Sequence, residues 1–160
     1  MSEAQRTLSE ATDLPSRMEL GVDALDRGDA EGAALAFATA VAKATPSDDR
    51  ILAERAAYGA AEALLRLERD DEAAEYLEIA ANSADQELRF LALRRRAMEE
   101  VRRGELPVAL ATYRQAEGSA PTSAARAEIA SRIGWLTKET GGSALRSQAA
   151  FRRARGVPAG

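Results

Sequence analysis

GELPVALATYRQAEGSAP, residues 104–121, decides the fold. Within it Ala109, Tyr113 and Ala116 are spaced by four and then three positions, which puts all three side chains on one face of a helix. The alanines admit a neighbouring helix and the tyrosine fills its groove. The same small, large, small order recurs at Ala33/Phe37/Ala40, Ala73/Leu77/Ala80 and Ser147/Phe151/Ala154, with leading residues 40, 36 and 38 positions apart. Such spacings are those of helical-hairpin arrays, not of coiled-coil heptads or propeller blades.

Twelve residues before the leading residue of the first three units stands another small one, Gly21, Ala61 and Ala97, marking close approach within a preceding helix. Five residues before it comes a turn, carried by Gly28-Asp29 and Gly104-Glu105, with Glu68 at the matching place in the second unit. Each unit therefore reads as helix, tight turn, helix. The expected helices are 16–27, 30–44, 48–67, 70–83, 86–103, 107–118, 122–140 and 144–155, with no strand candidate. Pro107 falls in a first turn, where its missing N–H would be unpaired anyway. Alanine supplies 37 of the 160 residues, so short side chains have to fill the seams between helices.

In these features the chain resembles the tetratricopeptide repeat (TPR) family. The third unit matches it best, with its turn, its small-large-small helix and its closing Pro121. LGVDALDRGDAEGAALAFATAVAKATP closes at Pro46, whereas AAEALLRLERDDEAAEYLEIAANSAD lacks both glycine and proline in the matching places. The fourth unit departs further, with a turn expected around Gly141-Gly142, and reads as a cap. The resemblance implies an all-α, right-handed solenoid of about four TPR-like helical hairpins over residues 16–155. A flexible N-terminal segment (1–15) and a flexible C-terminal tail (156–160) are expected to flank it.

Composition excludes more than it selects. The chain has no cysteine and no histidine, which removes disulfides, thiolate nucleophiles, zinc-type ligand sets and the usual proton shuttle near neutral pH. The acidic clusters Asp48-Asp49 and Asp70-Asp71-Glu72 sit at expected helix starts, where negative charge offsets the helix dipole. Gly141-Gly142 lacks the glycine spacing and the lysine of a phosphate-cradling loop. No catalysis, cofactor or metal is expected. Uncharged runs such as Gly32 to Ala42 are too short to span a bilayer, and the N-terminus has no basic flank or apolar core of a secretory signal. A cytoplasmic protein is expected.

Charge is divided unevenly. Residues 1–80 hold 18 Asp or Glu against 8 Lys or Arg, whereas residues 81–160 hold 8 against 14. Such asymmetry favours an acidic partner, an anionic surface or association between copies. The basic points Arg94-Arg95-Arg96, Arg102-Arg103 and Arg152, Arg153 and Arg155 raise nucleic acid as an alternative. It is disfavoured, because only seven aromatic residues exist and most occupy core positions of the repeat. Consecutive arginines also diverge by about 100° around a helix, so the first three cannot serve one face.

The resemblance further implies that the first helices of successive hairpins line a groove for a peptide or partner helix. The matching positions here are Met18, Val22 and Leu25, then Tyr58, Glu62 and Leu65, then Arg94, Met98 and Val101, with Arg66 and Arg102 nearby. They form an apolar stripe with charged edges, suited to an amphipathic helix or an acidic-hydrophobic segment. Clamping of a terminal carboxylate is not expected, because asparagine and lysine are missing from these places. The function read from the chain is therefore a non-catalytic protein–protein interaction scaffold. Trp135, the only tryptophan, is expected to pack in the core under the last helix.

The stretch from Arg126 to Gly156 is also similar to soluble repeat regions that precede the membrane part of rhomboid-type intramembrane proteases of high-GC actinobacteria. That resemblance implies an alternative role as the cytosolic regulatory domain of a membrane-embedded protease, touching a membrane only through what it is fused to. The transmembrane helices and the catalytic serine and histidine of such a protease are not in this chain.

Overall fold

Five of the helix starts are set by one short side chain each. The Asp13 carboxylate accepts from the Ser16 N–H at 2.7 Å, and Asp29 accepts from Gly32 N–H at 2.9 Å. Asp49 accepts from Ile51 N–H at 3.0 Å, Asp85 from Leu88 N–H at 3.0 Å, and the Thr122 hydroxyl from Ala125 N–H at 3.1 Å. Each bond satisfies an amide that the first helical turn leaves without a partner. The bonds to Ser16 hold the exposed Asp13 carboxyl below its ordinary pKa. The acidic clusters do serve helix starts: Asp49 caps one helix, and Asp70, Asp71 and Glu72 fill the first turn of another.

The resulting computed structural model describes residues 5, 6 and 11–154, apart from the side chains of 143–148, 150, 151 and 154. The expected flexible segments fall mostly outside the described residues, as do Arg155 and the Ser147/Phe151/Ala154 side chains. Seven helices follow from residue 14 onward: α1 Leu14–Asp26, α2 Ala30–Lys43, α3 Arg50–Arg66, α4 Asp70–Ala81, α5 Gln86–Arg102, α6 Leu106–Gly118 and α7 Ser123–Ala154. No strand occurs among the described residues. The first six lie within two residues of the sequence expectation, and α1 opens early because Leu14 is buried.

The fourth hairpin is not there. α7 runs unbroken through Gly141 and Gly142 for 32 residues, so three hairpins are followed by one long helix. Two glycines weaken a helix but do not break it. Nothing else here requires a turn: neither residue is among the glycines at positive φ, and no proline follows until Pro158. The hydroxyls of Thr137 and Thr140 donate back to the carbonyls of Ile133 and Leu136 at 2.7 and 2.8 Å, as threonines inside a helix do.

Contacts divide the chain into a first unit, Met1–Ala92, and a second, Leu93–Gly160. In the first unit α1 packs on α2, α2 on α3 and α3 on α4, and α1 also touches α3. Its core is the repeat signature. Ala33, Ala40, Ala73 and Ala80 are fully buried around Phe37 and Leu77. Phe37 fits only because glycine faces it twice: a Cβ on Gly21 would lie 2.5 Å from the ring, and one on Gly59 would lie 2.8 Å from it. In the second unit α6 packs on α7, and Ala109, Tyr113 and Ala116 are buried with Ala97, Ile129 and Leu136.

The three turns that close α1, α3 and α5 are the same object. Gly28, Glu68 and Gly104 have φ of 76°, 58° and 79°. The next N–H in each case donates back five residues, Asp29 to the Ala24 carbonyl, Arg69 to Leu64 and Glu105 to Glu100, at 2.8 to 2.9 Å. This left-handed cap terminates a helix while satisfying its last carbonyls. The second unit of the repeat builds it with glutamate, at the steric cost a Cβ meets in that conformation.

Candidate functional site

The expected partner-binding residues fall in both units. In the first unit Val22 is 46% exposed, and Met18, Leu25, Tyr58 and Leu65 are half-buried against the hydrophobic core. Glu62 is half-buried on the same stripe of α3 as Tyr58 and Leu65. Tyr58 also lines a shallow pocket of about 220 Å³ with Leu88 and Leu91, edged by Arg55 and Asp85, which stand 3.6 Å apart.

In the second unit the arginines diverge as helix geometry requires. Arg94 donates to Glu128 on α7 at 2.8 Å, Arg95 lies 3.6 Å from Glu99 along α5, and Arg96 donates to Gln115 on α6 at 3.2 Å. Arg102 donates to Glu99 at 2.8 Å and Arg103 stands 3.4 Å from Glu105. Each cation of this cluster thus lies near a carboxylate or amide oxygen.

A concavity of about 430 Å³ in the second unit opens between α5, α6 and α7. Val101 of α5 and Tyr113 of α6 form its floor with Leu136, and Trp135 and Ser131 form its wall. Glu128 and Arg132 make the polar edge, with 3.8 Å between them. Tyr113 is buried, and burial raises its pKa above the ordinary phenol value, while the neighbouring Arg132 and Arg94 pull the other way. Of the expected residues, Val101 lines this groove and Arg94 braces it through Glu128; Met98 is half-buried one turn before Val101.

Trp135 is not a core residue: it is 51% exposed. The buried face of α7 runs through Ile129 and Leu136, seven apart, and Trp135 lies outside that stripe. Its helical neighbours three and four positions away are Ser131, Arg132, Lys138 and Glu139, all polar. That polar stripe was the sequence signal for an exposed indole.

No family model matches the chain, and no curated protein matches it to a significant degree. Among the described residues no helix is long and apolar enough to cross a membrane, and no group of carboxylates is arranged to hold a metal ion.

Proposed function

We propose that this protein is a non-catalytic interaction module whose hairpins are of the tetratricopeptide kind and which takes an amphipathic helix or peptide of another polypeptide. The observation that carries the reading is the exposed Trp135 over an apolar floor with Arg132 at its rim. Tryptophan and arginine around a desolvated pocket are the side chains from which binding hot spots are made, and a large aromatic left half in water is stabilised by being covered. The repeated left-handed caps and buried small-large-small signature support the hairpin type. Val22, Leu25, Tyr58, Glu62 and Leu65 in the first unit, and Arg94, Met98, Val101 and Arg102 in the second, are the proposed contacts beside the tryptophan.

Selection from a displayed library of random peptides, with counter-selection on Trp135→Ala, tests this. Enriched amphipathic sequences that shift the emission of Trp135, and that lose binding to Val101→Glu at unchanged helix content, support it. No enriched sequence, or sequences that bind Trp135→Ala equally well, overturns it.

A further inference from the structure

Two exposed helix stripes in this chain are written as complements. On α7, Trp135 is flanked at three residues on either side by Arg132 and Lys138, both exposed. On α4, Ile79 is 41% exposed, with Glu75 four and Glu72 seven residues before it on the same face and Glu78 beside it. Residues three and four apart share a helix face, so Trp135 stands between two cations, with Glu139 the one opposing charge on the next turn, while Ile79 stands beside the acidic side chains that precede it. Arg69 pairs with Glu72 at 2.7 Å, but among the described residues Asp71, Glu75 and Glu78 have no ion-pair partner. The units that carry the stripes repeat the contrast: the first has 20 acidic against 9 basic residues, net −11, and the second 6 against 13, net +7.

We infer that the groove of one copy receives the outer face of α4 from a second copy, Ile79 covering Trp135 while Glu75 and Glu78 meet Arg132 and Lys138. The inference rests on the interaction-module reading of the groove and names its partner. Two different patches meet, so the contact is heterologous: each copy keeps one free groove and one free α4, and association continues until a ring closes or the chain runs on. Charge of this kind steers encounter and is screened by salt, with a Debye length of about 8 Å at physiological ionic strength.

Sedimentation of the full chain over a concentration series at low ionic strength, read beside Trp135 emission, tests it. The expected result is a mass rising above 17.1 kDa with concentration, in step with a blue shift of the sole tryptophan, and both reversed by salt. Ile79→Glu and Trp135→Ala should each weaken association roughly tenfold or more. Mixed in equal amounts the two variants should regain pairing but stop at dimers, because one supplies an intact groove and the other an intact α4. Glu78→Lys, which leaves the apolar contact alone, should weaken association in the same direction, and circular dichroism of every variant should match the wild type. A monomer at all concentrations, or association indifferent to Ile79→Glu, overturns the inference. A monomer that still binds library-selected peptides leaves the interaction module standing with a foreign partner; one that binds none removes both readings.

Discussion

Phe37 in the first unit and Tyr113 in the second occupy the same place in the repeat, between two fully buried alanines, yet they do different things. Phe37 is sealed between Gly21 and Gly59 with no room for a methyl group on either side. Tyr113 is as deeply buried, but it carries a hydroxyl and forms the floor of an open groove under Trp135 and Arg132. One helical hairpin thus yields a closed core or an open groove according to what stands opposite its large residue.

The comparison breaks most visibly at Phe37. Phe37→Ala should cost about 3–5 kcal/mol of unfolding free energy, from lost burial and the cavity left behind. Gly21→Ala should cost about 1–3 kcal/mol by overpacking the ring. The second repeat shows the remedy: Leu77 lies in register with Phe37, and Ala61 with Gly21. Gly21→Ala should therefore be much less costly in a Phe37→Leu background, and denaturant melts of the four proteins give the coupling directly. Additive effects would mean that the glycine and the ring do not depend on each other.

A second contrast lies at Ala24, Leu64 and Glu100, which share one register. The first two are buried apolar side chains in the first unit, whereas Glu100 is 6% exposed in the second with its Oε1 buried and unpartnered. Glu100→Leu should stabilise the second unit by about 1–2 kcal/mol, by removing a poorly satisfied polar group from the interior. A loss of stability on melting would show that the carboxylate holds a contact the leucine cannot replace.

The parts of the fold legible in the sequence were those written in short-range spacing. Ala109, Tyr113 and Ala116 fix a helix face by themselves, and the acidic helix starts at Asp49 and at Asp70, Asp71 and Glu72 need only the neighbouring residues. Gly141-Gly142 was misread because glycine permits a turn without requiring one. Glu68 shows the converse, a left-handed cap imposed by the hydrogen bond from Arg69 to Leu64 on a residue that does not favour it. Trp135 was misplaced because size argued for burial, while its polar neighbours three and four residues away argued for water. The repeat register pointed to Val101, which lines the groove, and to Arg94, which pairs with Glu128 at its edge, but Glu128, Arg132 and Tyr113 reach the groove through packing of α6 on α7, which no local pattern records.

Three glycine exchanges sharpen these points at about 1 kcal/mol or less. Gly141→Ala should stabilise α7 by about 0.8–1 kcal/mol, since that glycine is exposed, helical and without a neighbour within 4 Å of an added Cβ. In a turn the same change would destabilise. Glu68→Gly should gain about 0.5–1 kcal/mol by relieving the left-handed backbone. Gly104→Ala should lose a comparable amount, although an added Cβ there meets nothing. Equal and opposite melting shifts would show that backbone conformation alone sets the effect in both units.

The smallest effect isolates the hydroxyl that separates Tyr113 from Phe37. Burial raises the pKa of Tyr113 above the usual value of 10.0, so the neutral phenol is the form the fold prefers. A group whose folded pKa lies above its unfolded one contributes stability that is complete below the unfolded value and is lost as pH rises through the folded one. Wild type should therefore lose stability above about pH 10 more steeply than Tyr113→Phe, while at neutral pH the two should differ by no more than about 1 kcal/mol. Because every other titrating group is common to both proteins, the difference between their pH profiles isolates Tyr113. Parallel profiles would mean that the phenol ionises as easily folded as unfolded, and hence that water reaches it through the groove. In that case the second unit would be more open beneath Trp135 than the burial of Tyr113 implies, and the contrast with the sealed Phe37 would be wider still.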